Sequence, residues 1–300
     1  MVSWLLVCMM GLSLTACGSK TSKEVQSNGG EESNTQASVS KESTTDENTE
    51  NASVEKKEIY VFAAASMTET LTEIEALYED ENENIDLIFN FDSSGTLKTQ
   101  IQEGAACDLF ISAGQKQMNQ LDSTADLEVN TEGLDYVLED TRIDILENKV
   151  TLCVSDTREA GITTFDDWAA ALKEGTILMA MGNSDVPVGQ YTQKILAYYE
   201  LSEEELANAG VISYGSNVKE VTTQVSEGSV DCGVIYCTDA YSAGLIVQDY
   251  ATAEMCGQVI YPAAVLKISE HQEEAKAFLE YLQNDVCMEI FERVGFSRIG

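Results

Sequence analysis

The chain has 300 residues, enough for two modest domains with real cores. Its 17 basic and 52 acidic side chains give a formal charge of −35, a field that repels nucleic acid and anionic membrane surfaces. Small anions are repelled at long range too, so an anion site in this chain must rest on short-range hydrogen bonds.

The first segment carries an address. Residues 4–14 form an apolar run that leads into Leu14-Thr15-Ala16-Cys17-Gly18. A short apolar stretch closed by small residues reads as a signal peptide, not a membrane span. The Leu-x-Ala-Cys-Gly ending resembles a bacterial lipobox, which implies cleavage before Cys17 and diacylglycerol on its sulfur. Met1-Val2-Ser3 lacks the basic residues usual ahead of such a run, which leaves the true start codon open. Residues 18–57 are Ser, Thr, Asn, Glu and Lys with almost no large apolar side chains, so nothing there offsets the entropy of ordering; a disordered tether is expected. No stretch after residue 17 is long and apolar enough to span a bilayer.

From Glu58 the texture alternates. Strands are predicted over 59–64, 85–91, 109–112, 150–155, 177–181, 211–214, 232–236, 245–247 and 259–266. Helices are predicted over 67–78, 96–103, 115–121, 165–173, 188–199, 218–227 and 273–282, with a turn or two at 286–291. In the first helix Leu71, Ile74, Leu77 and Tyr78 share one face. This β-α-β-α alternation argues for an α/β fold of mixed sheets flanked by helices, with ligand sites where strands end and helices begin.

The catalytic inventory is thin. His271 is the only histidine and sits among Glu270, Gln272 and Glu273, as a solvated surface residue would. No Ser-His-Asp or Cys-His set can be built on it, and neither phosphate-loop nor dinucleotide glycine motifs occur. No enzyme activity and no cofactor are expected. Cys107, Cys153, Cys232, Cys237, Cys256 and Cys287 show no framework spacing and sit in strand-like runs, so buried free thiols are expected. A zinc site at Cys232 and Cys237 would lack its further ligands.

What recurs is a strand, a short polar turn and a helix start. Ser66 ends one strand, and Glu69 three residues later makes a capping-box pattern. Ser93-Ser94-Gly95, Pro187-Val188-Gly189 and Asn217-Val218 open other helices. Each exposes main-chain N–H groups at the positive end of a helix dipole, which can hold an anion without a charged side chain. By pattern alone, Ser66 is more simply a helix cap and Tyr236 a core residue.

Six strings appear in order: V-F-A-A-A-S (61–66), F-D-S-S-G-T-L (91–97), D-L-F-I-S-A (108–113), S-D-V-P-V-G-Q-Y (184–191), G-V-I-Y-C-T-D-A (233–240) and Y-P-A-A-V-L-K (261–267). Together they resemble the molybdate-binding proteins of ABC importers, within the two-lobed periplasmic-binding-protein superfamily of type II. The resemblance spans about residues 58–296. It implies an extracytoplasmic solute-binding protein, lipid-anchored at the cell membrane, that captures molybdate or tungstate as a monomer. It would deliver the anion to a permease and its ATPase. The implied ligand set is Ser66, Ser94, Val188, Val218 and Tyr236, with both valines acting through their main chains. The implied division is a signal peptide at 1–17, a tether at 18–57, lobe one at 58–137 plus 245–300, and lobe two at 138–244.

There are departures from the family pattern. Val188 replaces the usual alanine, Gly114 replaces an aspartate, and Asp92 stands where many relatives carry a small residue. Asp92 is expected to point outward, because a carboxylate inside the site would favour a protonated anion such as hydrogen phosphate. Phosphate or sulfate is therefore the alternative ligand; a surface hydrolase or an adhesin on a similar scaffold is the more distant one.

Overall fold

The computed structural model describes residues 56–158 and 161–299. The expected signal peptide, Cys17 and nearly all of the tether lie outside these residues. In chain order, β1 (Lys57–Ala64) runs through a 3₁₀ turn (Ala65–Met67) into α1 (Thr68–Glu81), then β2 (Ile85–Asp92), α2 (Ser94–Gln102), β3 (Leu109–Ile111) and α3 (Gln115–Asn119). β4 (Ile143–Asn148), β5 (Val150–Val154), α4 (Phe165–Glu174), β6 (Met179–Gly182), α5 (Pro187–Tyr198), α6 (Glu203–Asn208), β7 (Ile212–Gly215) and α7 (Val218–Ser226) follow. The remainder is β8 (Cys232–Tyr236), α8 (Cys237–Ala243), β9 (Val247–Tyr250), α9 (Ala253–Cys256), β10 (Val259–Val265), α10 (Gln272–Tyr281), α11 (Asp285–Val294) and β11 (Ser297–Arg298).

Two mixed sheets result. The first has the order β11-β4-β10-β3-β1-β2, with β1 parallel to β2 and β3 and antiparallel pairs beyond. The second has the order β7-β6-β8-β5-β9, with β6 parallel to β7 and β8. The central strands are apolar along their length because helices cover both faces: in β1 the last four residues are all buried, and β8 is buried throughout. In α1, Leu71, Ile74 and Tyr78 face the core as the spacing requires, whereas Leu77 falls at the edge and is 38% exposed.

The chain changes sheets twice, and both crossings fall later than the expected division. Sheet membership switches between Asn148 and Val150, and again between Tyr250 and Val259. β4 therefore belongs to the first sheet and β9 to the second, where 138 and 245 had been expected as borders. β4 does not show in the periodicity, because its sequence, IDILEN, carries three polar side chains and pairs by a short antiparallel ladder.

Candidate functional site

Three helix starts and two strand ends converge between the two sheets on a small cavity of about 10 Å³. Ser66, Ser94, Val188, Val218 and Tyr236 all line it, together with Ala64, Ala65, Asp92, Ser93, Ala113, Val186 and Pro187. All five sequence-selected positions are thus brought to one place, and all five are buried. No Lys, Arg or His is among the lining residues.

Local rules explain how each position is held. Ser93 caps α2 by accepting the Thr96 N–H at 3.1 Å, which leaves Ser94 as the first helical residue with its hydroxyl inward. Pro187 occupies the first turn of α5, where its missing N–H is harmless, and Val188 follows. Asn217 caps α7 through the Glu220 N–H at 3.0 Å, which places Val218 at the first helical position. First-turn N–H groups have no partner inside their own helix, so those of Val188 and Val218 can donate to a bound anion. Gly189 must be glycine, because an added Cβ would lie 2.3 Å from the carbonyl oxygens of both Gly182 and Asn183.

The hydroxyls are held by neutral partners. Ser66 Oγ lies 2.8 Å from the Tyr261 hydroxyl, and Ser94 Oγ accepts the Ala113 N–H at 2.9 Å. The Tyr236 hydroxyl makes only a long 3.4 Å bond to the Ala113 carbonyl. Burial pushes the Tyr236 phenol well above its ordinary pKa, so it stays a neutral donor.

Two expectations are corrected here. Ser66 does not cap α1: it lies inside the 3₁₀ turn, and no side chain caps that helix. Glu69 instead holds Lys219 of α7, with Nζ at 2.7 and 2.8 Å from its two oxygens. Asp92 does not point outward. It lines the cavity, and its Oδ1 accepts from the Ser93 N–H at 2.7 Å and from Asn217 Nδ2 at 3.2 Å. The reason is geometric: Asp92 ends β2 directly beside the serine turn, and Asn217 comes to meet it from the other sheet.

The surfaces that meet across the cavity leave little room. An added Cβ at Gly95 would lie 2.1 Å from the Asp185 carbonyl oxygen, which belongs to the turn ahead of α5. Behind Lys219 sits Asp239 of α8, fully buried, with Lys219 Nζ 3.4 Å from Oδ1 and no hydrogen bond to that oxygen. Burial raises the Asp239 pKa to about 6; Lys219 works against the rise and Glu69 adds to it. His271 stands apart, at the start of α10. All six described cysteines are buried free thiols, as their sequence setting had suggested.

Residues 59–297 match the family model for bacterial extracellular solute-binding proteins. The chain belongs to that family. Among relatives, it is 32% identical over 247 residues to YvgL of Bacillus subtilis (strain 168), a protein provisionally named as an ABC transporter substrate-binding lipoprotein. That alignment covers 82% of this chain and 88% of the relative. The molybdate-binding protein ModA of Escherichia coli (strain K12) is 31% identical over 256 residues, covering 82% and 91%. Among solved structures, the substrate-binding domain of a provisionally assigned molybdenum ABC transporter from Clostridium difficile is 30% identical. It matches with a TM-score of 0.58 over 81% of this chain and 99% of that one. The Azotobacter vinelandii periplasmic molybdate-binding protein shares the fold, with a TM-score of 0.67 at 18% identity over 81% of this chain and 100% of that one. This family member is a solute-binding protein of an ABC transporter, built on the two-sheet fold of the periplasmic binding proteins.

Proposed function

We propose that the cavity binds molybdate or tungstate, and that Ser66, Ser94, Val188, Val218 and Tyr236 supply its hydrogen bonds. The observation that carries this reading is the chemistry of the lining: hydroxyl and main-chain donors, no cationic side chain, and one carboxylate, Asp92, whose Oδ1 is held by Ser93 and Asn217. A fully deprotonated tetrahedral dianion needs only donors, and charge-assisted bonds to neutral donors hold it in a dry site. The names of the ModA relatives favour the same ligand.

The two sheets with their helices act as two lobes that close on the anion, because only the closed form completes its bonds. The protein then works as a monomer, tethered to the outer face of the membrane by lipid on Cys17. The relative named as a lipoprotein supports that anchoring. The loaded form docks on a permease driven by a partner ATPase. Chemistry beyond binding is not called for.

Asp92 favours a second reading, hydrogen phosphate, because its carboxylate lines the same cavity. Against it, Oδ1 is already engaged by two donors. A thermal-shift panel with molybdate, tungstate, sulfate and phosphate separates the two. A ligand at 100 times its Kd stabilises by about 2.7 kcal/mol, or roughly 5–10 °C in a chain of this size. A shift with molybdate or tungstate supports the first reading; a shift with phosphate alone supports the second.

A further inference from the structure

Beneath Ser66 lies a buried polar chain with a definite direction. Asn148, the last residue of β4, has its amide fully used. Its Oδ1 accepts the main-chain N–H of Lys149 at 2.8 Å and lies 3.2 Å from the Cys237 thiol, whose one proton it shares with the Gly295 carbonyl at 3.3 Å. A main-chain N–H can only donate, so the atom facing it must be the amide oxygen, and the orientation of the side chain is settled. Nδ2 then points the other way and donates to the Tyr261 hydroxyl and to Thr238 Oγ1, each at 3.0 Å.

Tyr261 is fully buried and has a single hydroxyl proton. Its oxygen accepts from Asn148, and its other polar neighbour is Ser66 Oγ at 2.8 Å. If Ser66 donated to Tyr261, the phenol proton would be left buried without an acceptor, which native structures avoid. The proton therefore runs from Tyr261 to Ser66. With one lone pair so occupied, the Ser66 O–H has the cavity left to turn to. Ser94 is treated in the same way, since the Ala113 N–H fills an acceptor position of its oxygen.

We propose that Asn148 and Tyr261 are positioning residues that fix the Ser66 hydroxyl as a donor toward the cavity. The inference rests on the reading of that cavity as an oxyanion site, and it adds the reason the site prefers an anion that carries no proton. Both residues stand at the strands through which the chain leaves and re-enters the first sheet. The ladder shifts register between Tyr261 and Pro262, because proline has no N–H to offer, and such irregularities re-aim side chains.

The test is a double-mutant cycle on the whole chain, titrated with sodium molybdate. Tyr261→Phe and Ser66→Ala are each expected to weaken binding about tenfold, the scale of one hydrogen bond to a charged group. The double variant should be no weaker than either single one, because Tyr261 acts through Ser66. The ligand-free melting temperature of Tyr261→Phe should stay within a few degrees of wild type. A double loss equal to the product of the singles, or a Tyr261→Phe variant that binds as wild type does, overturns the proposal. If the wild type binds no oxyanion, the reading of the site itself fails and takes this inference with it.

Asn148→Asp supplies an independent arm that preserves shape. A carboxylate accepts where the amide donates, so the Tyr261 proton turns toward it and releases Ser66. Molybdate affinity should be about tenfold weaker near pH 9 and should recover as the pH falls toward about 5.5 and the new carboxyl protonates. Tyr261 and Cys237 touch this position, and burial raises the pKa of each above its ordinary value. Asp239 titrates in both proteins, and the wild-type profile corrects for it. A flat profile at wild-type affinity contradicts the proposal, and so does an equal loss at every pH, which a merely structural role would produce.

Discussion

Gly95→Ala separates closing from folding. In the closed arrangement the new Cβ would meet the Asp185 carbonyl oxygen at 2.1 Å, where ordinary contact begins near 3.4 Å. The two surfaces must therefore part by about 1.3 Å, and both are main chain, so neither can swing aside. Overpacking of this kind costs about 1–3 kcal/mol. If the whole cost falls on the closed form, the apparent Kd for molybdate rises roughly 5- to 150-fold. An open, ligand-free form has no such contact. There the alanine sits in the first turn of α2 and should leave stability unchanged or slightly higher. The assay is titration calorimetry paired with ligand-free thermal melts. Unchanged affinity would refute the reasoning, as would a ligand-free form destabilised by as much as binding is weakened.

Further outcomes follow from the same geometry. Ser66→Ala combined with Ser94→Ala should abolish the molybdate thermal shift while the ligand-free protein still melts cooperatively within a few degrees of wild type; a retained shift would contradict the proposed ligand set. Asp239→Asn should raise the melting temperature at pH 7. The folded carboxyl titrates near 6 against an ordinary 3.8, so the unfolded chain ionises first as the pH rises through that interval. Stability is thus lost between about pH 4 and 6, by an amount of order 3 kcal/mol at pH 7, and the Asn variant should lack that loss. A variant that melts lower at pH 7, or keeps the same pH slope, would show that Lys219 fully compensates the buried charge.

Much of the site was legible because its rules are local. A serine pair before a glycine, a proline in a first turn and an asparagine three residues ahead of a glutamate mark helix starts whatever surrounds them. These starts lie where Ser94, Val188 and Val218 are found, and the family strings singled out those residues along with Ser66 and Tyr236. What escaped depended on partners distant in sequence. Glu69 fits a capping pattern, yet Lys219, 150 residues away, takes its carboxylate. The direction of Asp92 was decided by Asn217, 125 residues on. Asn148 closes a strand too polar and short to announce itself, and Tyr261 lay inside a recognised string without any sign that its hydroxyl meets Ser66. The sheet crossings were displaced for a similar reason: β4 and β9 are edge or near-edge strands whose membership is set by pairing and not by composition.

The most direct measurement is calorimetric titration of the wild-type chain with molybdate, followed by competition with phosphate. One molybdate should bind per chain, and an excess of phosphate should fail to displace it. Absence of binding, or displacement by equimolar phosphate, would contradict the proposed molybdate site.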